Sequence, residues 1–228
     1  MVKAVIFDLD DTLISEREYI ESGYRHISKL LCEKLNIDEL DIYLLLMELF
    51  KESSVKVFNR FFDKLEVSYS RKDITELVEE YRNHLPNIMF NDEVLACLEF
   101  LKRKGIKVGI ITDGYANAQR QKLKAIGAIN YFDHIIVTDE LGRDYWKPHP
   151  KAFEIMKEAL DIEYREIIYV GDNPKKDFYI SSIYPIKTIR IKRENGIYTI
   201  NEYFQGIKEN ITISSFKEIV DLLNLKTL

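Results

Sequence analysis

Asp8, Asp10 and Asp11 fall within four consecutive positions, immediately after the apolar run Ala4 to Phe7 in "AVIFDLDDTL". Aspartate is poor in strands because its carboxylate competes for backbone hydrogen bonds. A run of like charges at the end of a core-bound strand therefore needs a reason. Two more acids, Asp172 and Asp177, lie in "YVGDNPKKD", again after an apolar run. Carboxylates gathered in one pocket raise one another's pKa unless a cation sits between them. Hard oxygen ligands suit Mg²⁺, which takes one or two carboxylates and keeps positions open for water and substrate oxygens. Asp8 with Asp172 is a plausible Mg²⁺ pair, with Asp177 in support. A carboxylate can also attack phosphorus to give an aspartyl-phosphate, while a second carboxyl two positions on protonates the leaving oxygen and then activates water. In "IITDG" the Thr112 hydroxyl and the backbone N–H groups of Asp113 and Gly114 can hold phosphoryl oxygens, aided by a helix N-terminus just downstream. Lys147, in "WKPHP", supplies a compact positive charge.

Each motif also has a structural explanation. "DLDDT" can be a turn in which Asp11 or Thr12 caps the next helix. "TDG" and "GDNP" are good turn sequences, and Lys147 can be a solvated lysine ahead of a helix that starts at Pro150. Turn and cap demands do not explain why all four fall at loops on one edge of the expected sheet.

That edge follows from the elements. Residues 2–8 read as a strand. From Ser15 to about Leu85 the spacing is helical, in "YRHISKLLCEKL", "DIYLLLMELFKE", "VKVFNRFFDKL" and "DITELVEEYRNHL", until Pro86 breaks it. After the helix "DEVLACLEFLKRKG" the pattern alternates: strand "IKVGIIT", helix "NAQRQKLKAIG", strand "HIIVT", helix "PKAFEIMKEALD", strands "EIIYVGD" and "IKTIRI", and helix "SSFKEIVDLLNL". Short β-branched strands alternating with helices predict an α/β fold, a Rossmann-like parallel sheet with helices on both faces. Right-handed crossovers put the C-terminal strand ends on one edge, where ligands bind. Residues 1–14 and 88–228 are expected to form the catalytic core, and residues 15–87 a helical cap inserted after the first strand. "RENGIY", with Asn195-Gly196, reads as a hairpin or an open rim loop.

The chain has 228 residues, 46% hydrophobic and 31% charged, enough for one sizeable core with an insert. Its net charge of −5 argues against nucleic-acid partners. No apolar stretch approaches the ~20 residues of a membrane helix, and no signal peptide is evident, so a soluble cytoplasmic protein is expected. Cys32 and Cys97 are not in a C-x-x-C pair and read as core residues. G-x-S-x-G, G-x-G-x-x-G and P-loop patterns are absent, which argues against serine hydrolases, dinucleotide binders and P-loop enzymes.

The ordered set "DLDDT", Thr112, Lys147 and "GDNPKKD" resembles the haloacid dehalogenase superfamily in its phosphatase branch, over residues 4–177. The resemblance implies a Rossmann-like core and a helical cap of the C1 type. It implies Asp8 as nucleophile and Mg²⁺ ligand, and Asp10 as acid/base with its backbone carbonyl on Mg²⁺. It implies Thr112 and Lys147 as phosphoryl contacts, Asp172 as Mg²⁺ ligand, and Asp177 as a ligand through water or as the group orienting Lys147. The acid at position 10 favours phosphoryl chemistry, since the dehalogenase branch has none there. The expected substrate is a small phosphorylated metabolite. A phosphomutase with the same residues and a phospho-receiver domain are the alternatives. Trp146 and His149 lie beside Lys147 and can be either packing or substrate contacts. In the insert, Tyr19, Tyr24, Arg25 and Arg60 are the substrate-contact candidates.

Overall fold

The computed structural model describes residues 1–193 and 201–224. Six parallel strands form one sheet in the order β3-β2-β1-β4-β5-β6. They are β1 (Ala4–Phe7), β2 (Lys107–Thr112), β3 (His134–Val137), β4 (Ile167–Gly171), β5 (Lys187–Ile191) and β6 (Ile211–Ile213). The sequence pattern predicts the first five within two residues at each end and misses β6, whose three residues are too few for a periodic signal. The hairpin expected at Asn195-Gly196 lies outside the described residues.

The chain divides into two compact units, residues 1–16 with 88–228, and residues 17–87. In the first unit the sheet is covered on both faces. Ala4, Ile6, Ile111, Ile136, Ile167 and Tyr169 share a core with Ala152, Phe153, Met156 and Leu160 of α7 (Lys151–Leu160). Phe7, one residue out of step with Ile6, stacks on Phe216 of α8 (Phe216–Asn224) and meets Phe132 edge-on. Two-sided burial explains why β1 and β4 read as unbroken apolar runs. The unit also holds α5 (Asp92–Arg103), capped by Asn91, and α6 (Ala116–Ala125).

The second unit is helical: α1 (Glu16–Leu35, whose first residue belongs to the core unit), α2 (Glu39–Glu52), α3 (Val57–Lys64) and α4 (Arg71–Asn83). Asp38 caps α2, and Ser70 with Asp73 forms a capping box on α4. Tyr24, Phe58 and Tyr81 form an aromatic cluster within it. Among the described residues, no helix is long and apolar enough to cross a membrane.

Candidate active site

The order 3-2-1-4-5-6 reverses direction of winding between β1 and β4, which opens a crevice at their C-terminal ends. Asp8 is held on one side of it by an N–H···O bond of 2.8 Å to the Val170 carbonyl, continuing the β1–β4 ladder. Asp172 follows β4 on the other side.

Lys147 spans the crevice. Its Nζ lies 2.7 Å from Asp8 Oδ1, 2.9 Å from Asp177 Oδ1, 2.7 Å from the Tyr169 hydroxyl and 3.3 Å from the Ile111 carbonyl. Its side chain is fully buried. This is a built ammonium site and not the solvated lysine of the alternative explanation. The lysine precedes a cis peptide to Pro148, and its own N–H donates to Asp113 Oδ1 at 3.1 Å. Asp113 is thus a strut between the β2 end and the lysine loop, with the Thr138 hydroxyl 2.7 Å from the same oxygen.

Asp177 Oδ2 accepts from the Asn173 N–H at 2.9 Å, and Oδ1 accepts from Lys147 and Tyr169. Its close approach to β4 requires Gly171, where a Cβ would lie 2.6 Å from Asp177 Oδ2. Its neighbour Lys176 reaches Asp113 Oδ2 at 3.5 Å and Asp8 Oδ2 at 3.9 Å.

Asp8, Asp172 and Asp177, all buried, can bring one carboxylate oxygen each to within 4.8 Å of one another. Burial pushes Asp8 up to about 6, against the lowering charges of Lys147 and Lys176. Burial, then the charges of Asp177 and Asp8, push Asp172 up to about 9. Asp177 moves the other way: burial opposes its ionisation, and the ammonium groups of Lys147 and Lys176 outweigh it. The pocket therefore has more carboxylates than its two lysines satisfy. Asp8 Oδ2 is buried without a hydrogen-bond partner. An orphaned carboxylate oxygen beside a second strained carboxylate fits a divalent cation, and the all-oxygen donor set fits Mg²⁺.

Asp10 is placed apart from this cluster in its bonding. Its Oδ1 accepts from Lys122 Nζ at 2.7 Å and its Oδ2 from Gln119 Nε2 at 2.8 Å, both on α6. Lys122 also reaches Glu16 Oε2 at 2.6 Å. Burial raises the Asp10 pKa, but Lys122 and the hydrogen bonds outweigh it and hold the carboxyl below its usual value. Glu16 is pushed up to about 8 by burial and by the Asp10 charge. Thr112 is fully buried, its hydroxyl 3.3 Å from Gln119 Oε1. Gly114, at φ +131°, has Gln119 where a Cβ would go.

The capping explanation fits Asp11, whose Oδ1 accepts from the Glu16 N–H at the start of α1, at 3.0 Å. His149 serves its own loop, accepting from the Lys151 N–H at 3.1 Å. Trp146 is half-buried under Arg143, its indole N–H buried without a partner. In the helical unit, Arg60 donates to the carbonyls of Leu49, Ser53 and Val55, so it fastens a loop. Tyr19 and Tyr24 are buried, and Arg25 lies over the Tyr43 ring.

Sequence reasoning misses Tyr169, Gln119, Lys122 and Glu16. Nothing in the local pattern sets them apart, since α6 carries several other polar and basic residues.

Comparison with known proteins gives the family. The model of the haloacid dehalogenase-like hydrolases matches residues 5–191. This chain belongs to the haloacid dehalogenase-like hydrolase family. A curated relative in Methanocaldococcus jannaschii, named glyceraldehyde 3-phosphate phosphatase, is 31% identical over 232 residues, 99% of each chain. One of the same name in Pyrococcus abyssi is 32% identical over 84% of this chain and 82% of its own length. A haloacid dehalogenase phosphatase structure from Thermococcus onnurineus is 26% identical with a TM-score of 0.61, covering 97% of this chain and 98% of its own. The chain is a hydrolase of this family, in its phosphatase branch.

Proposed function

We propose that this haloacid dehalogenase-type phosphatase hydrolyses a small phosphomonoester through a phosphorylated Asp8, with Mg²⁺ as cofactor. The observation that carries the reading is the state of Asp8: one oxygen fixed by Lys147, the other buried without a hydrogen bond, with the Lys176 ammonium 3.9 Å away. Asp8 attacks phosphorus through one carboxylate oxygen, the other remaining for the cation, and the phosphorus–ester oxygen bond breaks. Asp10, ionised beside Lys122 in the resting site, takes up a proton as the substrate binds and delivers it to the departing oxygen. Asp10 then takes a proton from water, the water oxygen bonds to phosphorus, and the bond between phosphorus and Asp8 breaks to release inorganic phosphate. Asp8 and Asp172 would hold Mg²⁺, with the Asp10 carbonyl, and with Asp177 engaged chiefly in orienting Lys147. The ion, when bound, neutralises charge on the phosphoryl oxygens. Thr112, the N–H groups of Asp113 and Gly114, and Lys147 hold those oxygens.

Residues 17–87 we read as the cap that selects the substrate. The full-length likeness to relatives named glyceraldehyde 3-phosphate phosphatase makes that triose phosphate the first substrate to test. Other relatives are named pyrophosphatase PpaX. A likeness to a putative β-phosphoglucomutase from Thermotoga maritima, at 20% identity, concerns the fold alone and does not favour a mutase.

The test is release of inorganic phosphate from glyceraldehyde 3-phosphate, pyrophosphate and p-nitrophenyl phosphate, with and without Mg²⁺, in wild type and Asp8→Asn. Cation-dependent release lost in the variant is expected. Turnover surviving in Asp8→Asn would overturn the assignment of the nucleophile.

A further inference from the structure

Lys122 is 2% exposed, and Gln119 is 3% exposed. Both sit on α6 at the turn nearest Asp10, and between them they occupy both Asp10 carboxylate oxygens, at 2.7 Å and 2.8 Å. Gln119 reaches further. Its Nε2 also lies 3.1 Å from the Asp113 carbonyl, and its Oε1 accepts from the Thr112 hydroxyl at 3.3 Å. One amide thus connects the β1 loop that carries Asp10 to the β2 end that carries Thr112. Lys122 does the same between the β1 loop and Glu16 at the start of α1, at 2.6 Å.

Fold stability alone gives no reason for this arrangement. Desolvating a lysine and two carboxylates offsets most of their mutual attraction, and apolar side chains of similar volume usually serve a fold as well or better. Position 122 is buried on α6, as are Ala118 and Leu123. What the polar pair provides is a fixed position for one carboxylate. Aspartate at position 10 is half-buried on a loop whose next residue, Asp11, has φ +52°. Its side chain would otherwise have several rotamers. A proton donor must lie within hydrogen-bond reach of the leaving oxygen, and misplacement by about 1 Å can cost on the order of 10²-fold.

We propose that Lys122 and Gln119 are positioning residues that clamp the Asp10 carboxylate for proton transfer to the leaving group. The proposal rests on the phosphatase reading and adds to it the two residues that fix where the Asp10 carboxyl sits; the Lys122 charge favours the ionised form, so the gain is in position and not in acidity. Neither residue touches substrate; both act through Asp10.

The decisive measurement is kcat/KM for two substrates that differ in their need for a proton. This constant runs from free enzyme to phosphorylation of Asp8, so it reports departure of the leaving group and not the later hydrolysis. p-Nitrophenolate leaves without protonation near neutral pH, whereas the alkoxide of an alkyl phosphate does not. The substrates are p-nitrophenyl phosphate and whichever alkyl phosphomonoester the wild type turns over fastest. In Lys122→Met the alkyl ester is expected to lose on the order of 10²-fold and the nitrophenyl ester less than about 10-fold. Gln119→Met is expected to give the same inequality at smaller amplitude. It removes no charge, and its lost bonds to Thr112 and the Asp113 carbonyl weigh on both substrates alike, so the inequality carries the test if Lys122→Met melts at the assay temperature. Equal losses on both substrates, or no loss on either, would overturn the proposal while leaving the phosphatase reading intact. A wild type that releases phosphate from neither ester would overturn both.

Discussion

Replacing Asp172 with asparagine is expected to abolish activity and yet to stabilise the cation-free protein. Asp172 is 7% exposed, and burial followed by the charges of Asp177 and Asp8 pushes it up to about 9. An acid with a raised folded-state pKa binds its proton more tightly when folded. Its ionisation therefore costs nothing below the unfolded value of 3.8, costs more with each unit above it, and reaches its full cost near pH 9. Linkage sets that slope at ~1.4 kcal/mol per pH unit. Between about pH 5 and about pH 8 the wild type thus loses up to about 4 kcal/mol that a neutral asparagine of the same shape does not. For a chain of this size that is a gain in Tm over wild type that grows by roughly 10 °C between the two pH values. The assay is thermal unfolding in chelator at both pH values, repeated with Mg²⁺. The cation is expected to raise the wild-type Tm and to leave the variant nearly unchanged, because only the wild type presents the second carboxylate. A variant less stable than wild type in chelator at both pH values, or a gain that ignores pH, would refute the idea of a pocket strained by its own negative charge.

Lys147→Met leaves Asp8 and Asp177 facing one another without their shared ammonium, and is expected to cost about 3–5 kcal/mol by denaturant unfolding; a loss within about 1 kcal/mol of zero would contradict the buried network. Gly171→Ala places a methyl 2.6 Å from Asp177 Oδ2 and 2.9 Å from its Cβ. A stability loss of about 1–3 kcal/mol is expected from the overpacking, with Asp177 displaced and phosphatase turnover lost; wild-type turnover would show that Asp177 need not sit there. Asp10→Asn is expected to lower kcat for an alkyl phosphate by on the order of 10²–10⁴-fold with little change in KM; a raised KM at constant kcat would remove Asp10 from proton transfer.

The acids at the ends of β1 and β4 were legible because aspartate has no reason to follow a buried strand unless something needs it there. The parallel sheet was legible because strands buried on both faces must be apolar along their length, as β1, β4 and the middle of β2 are. The partners were not. Tyr169 reads as one more aromatic in "IIYVG", and only the fold aims its hydroxyl at Lys147 and Asp177. Lys122 reads as one of many helix-surface lysines, since burial of a charge is decided by what packs above it and leaves no mark in the local pattern. The same holds in reverse for Arg60, a candidate for substrate contact by type, which instead donates to three backbone carbonyls of its own unit.

The position of β1 in the sheet has a consequence for how the molecule comes into being. Its four residues pair with β2, which begins at Lys107, and with β4, which begins at Ile167. The bond from Lys147 to Asp8 closes a sequence separation of 139 residues. Contacts of such range are made late, after the loop entropy has been overcome. Asp8 is thus synthesised well before β2, Lys147 and β4, and is among the last residues to find its neighbours. Until β4 emerges, an apolar strand with an open edge waits in the nascent chain, the kind of segment that invites wrong pairing. Contacts within residues 17–87 are of shorter range, as between Tyr24 and Tyr81, and close sooner. Refolding should therefore show a fast helical phase and a slow one, and catalytic competence should return only with the slow phase.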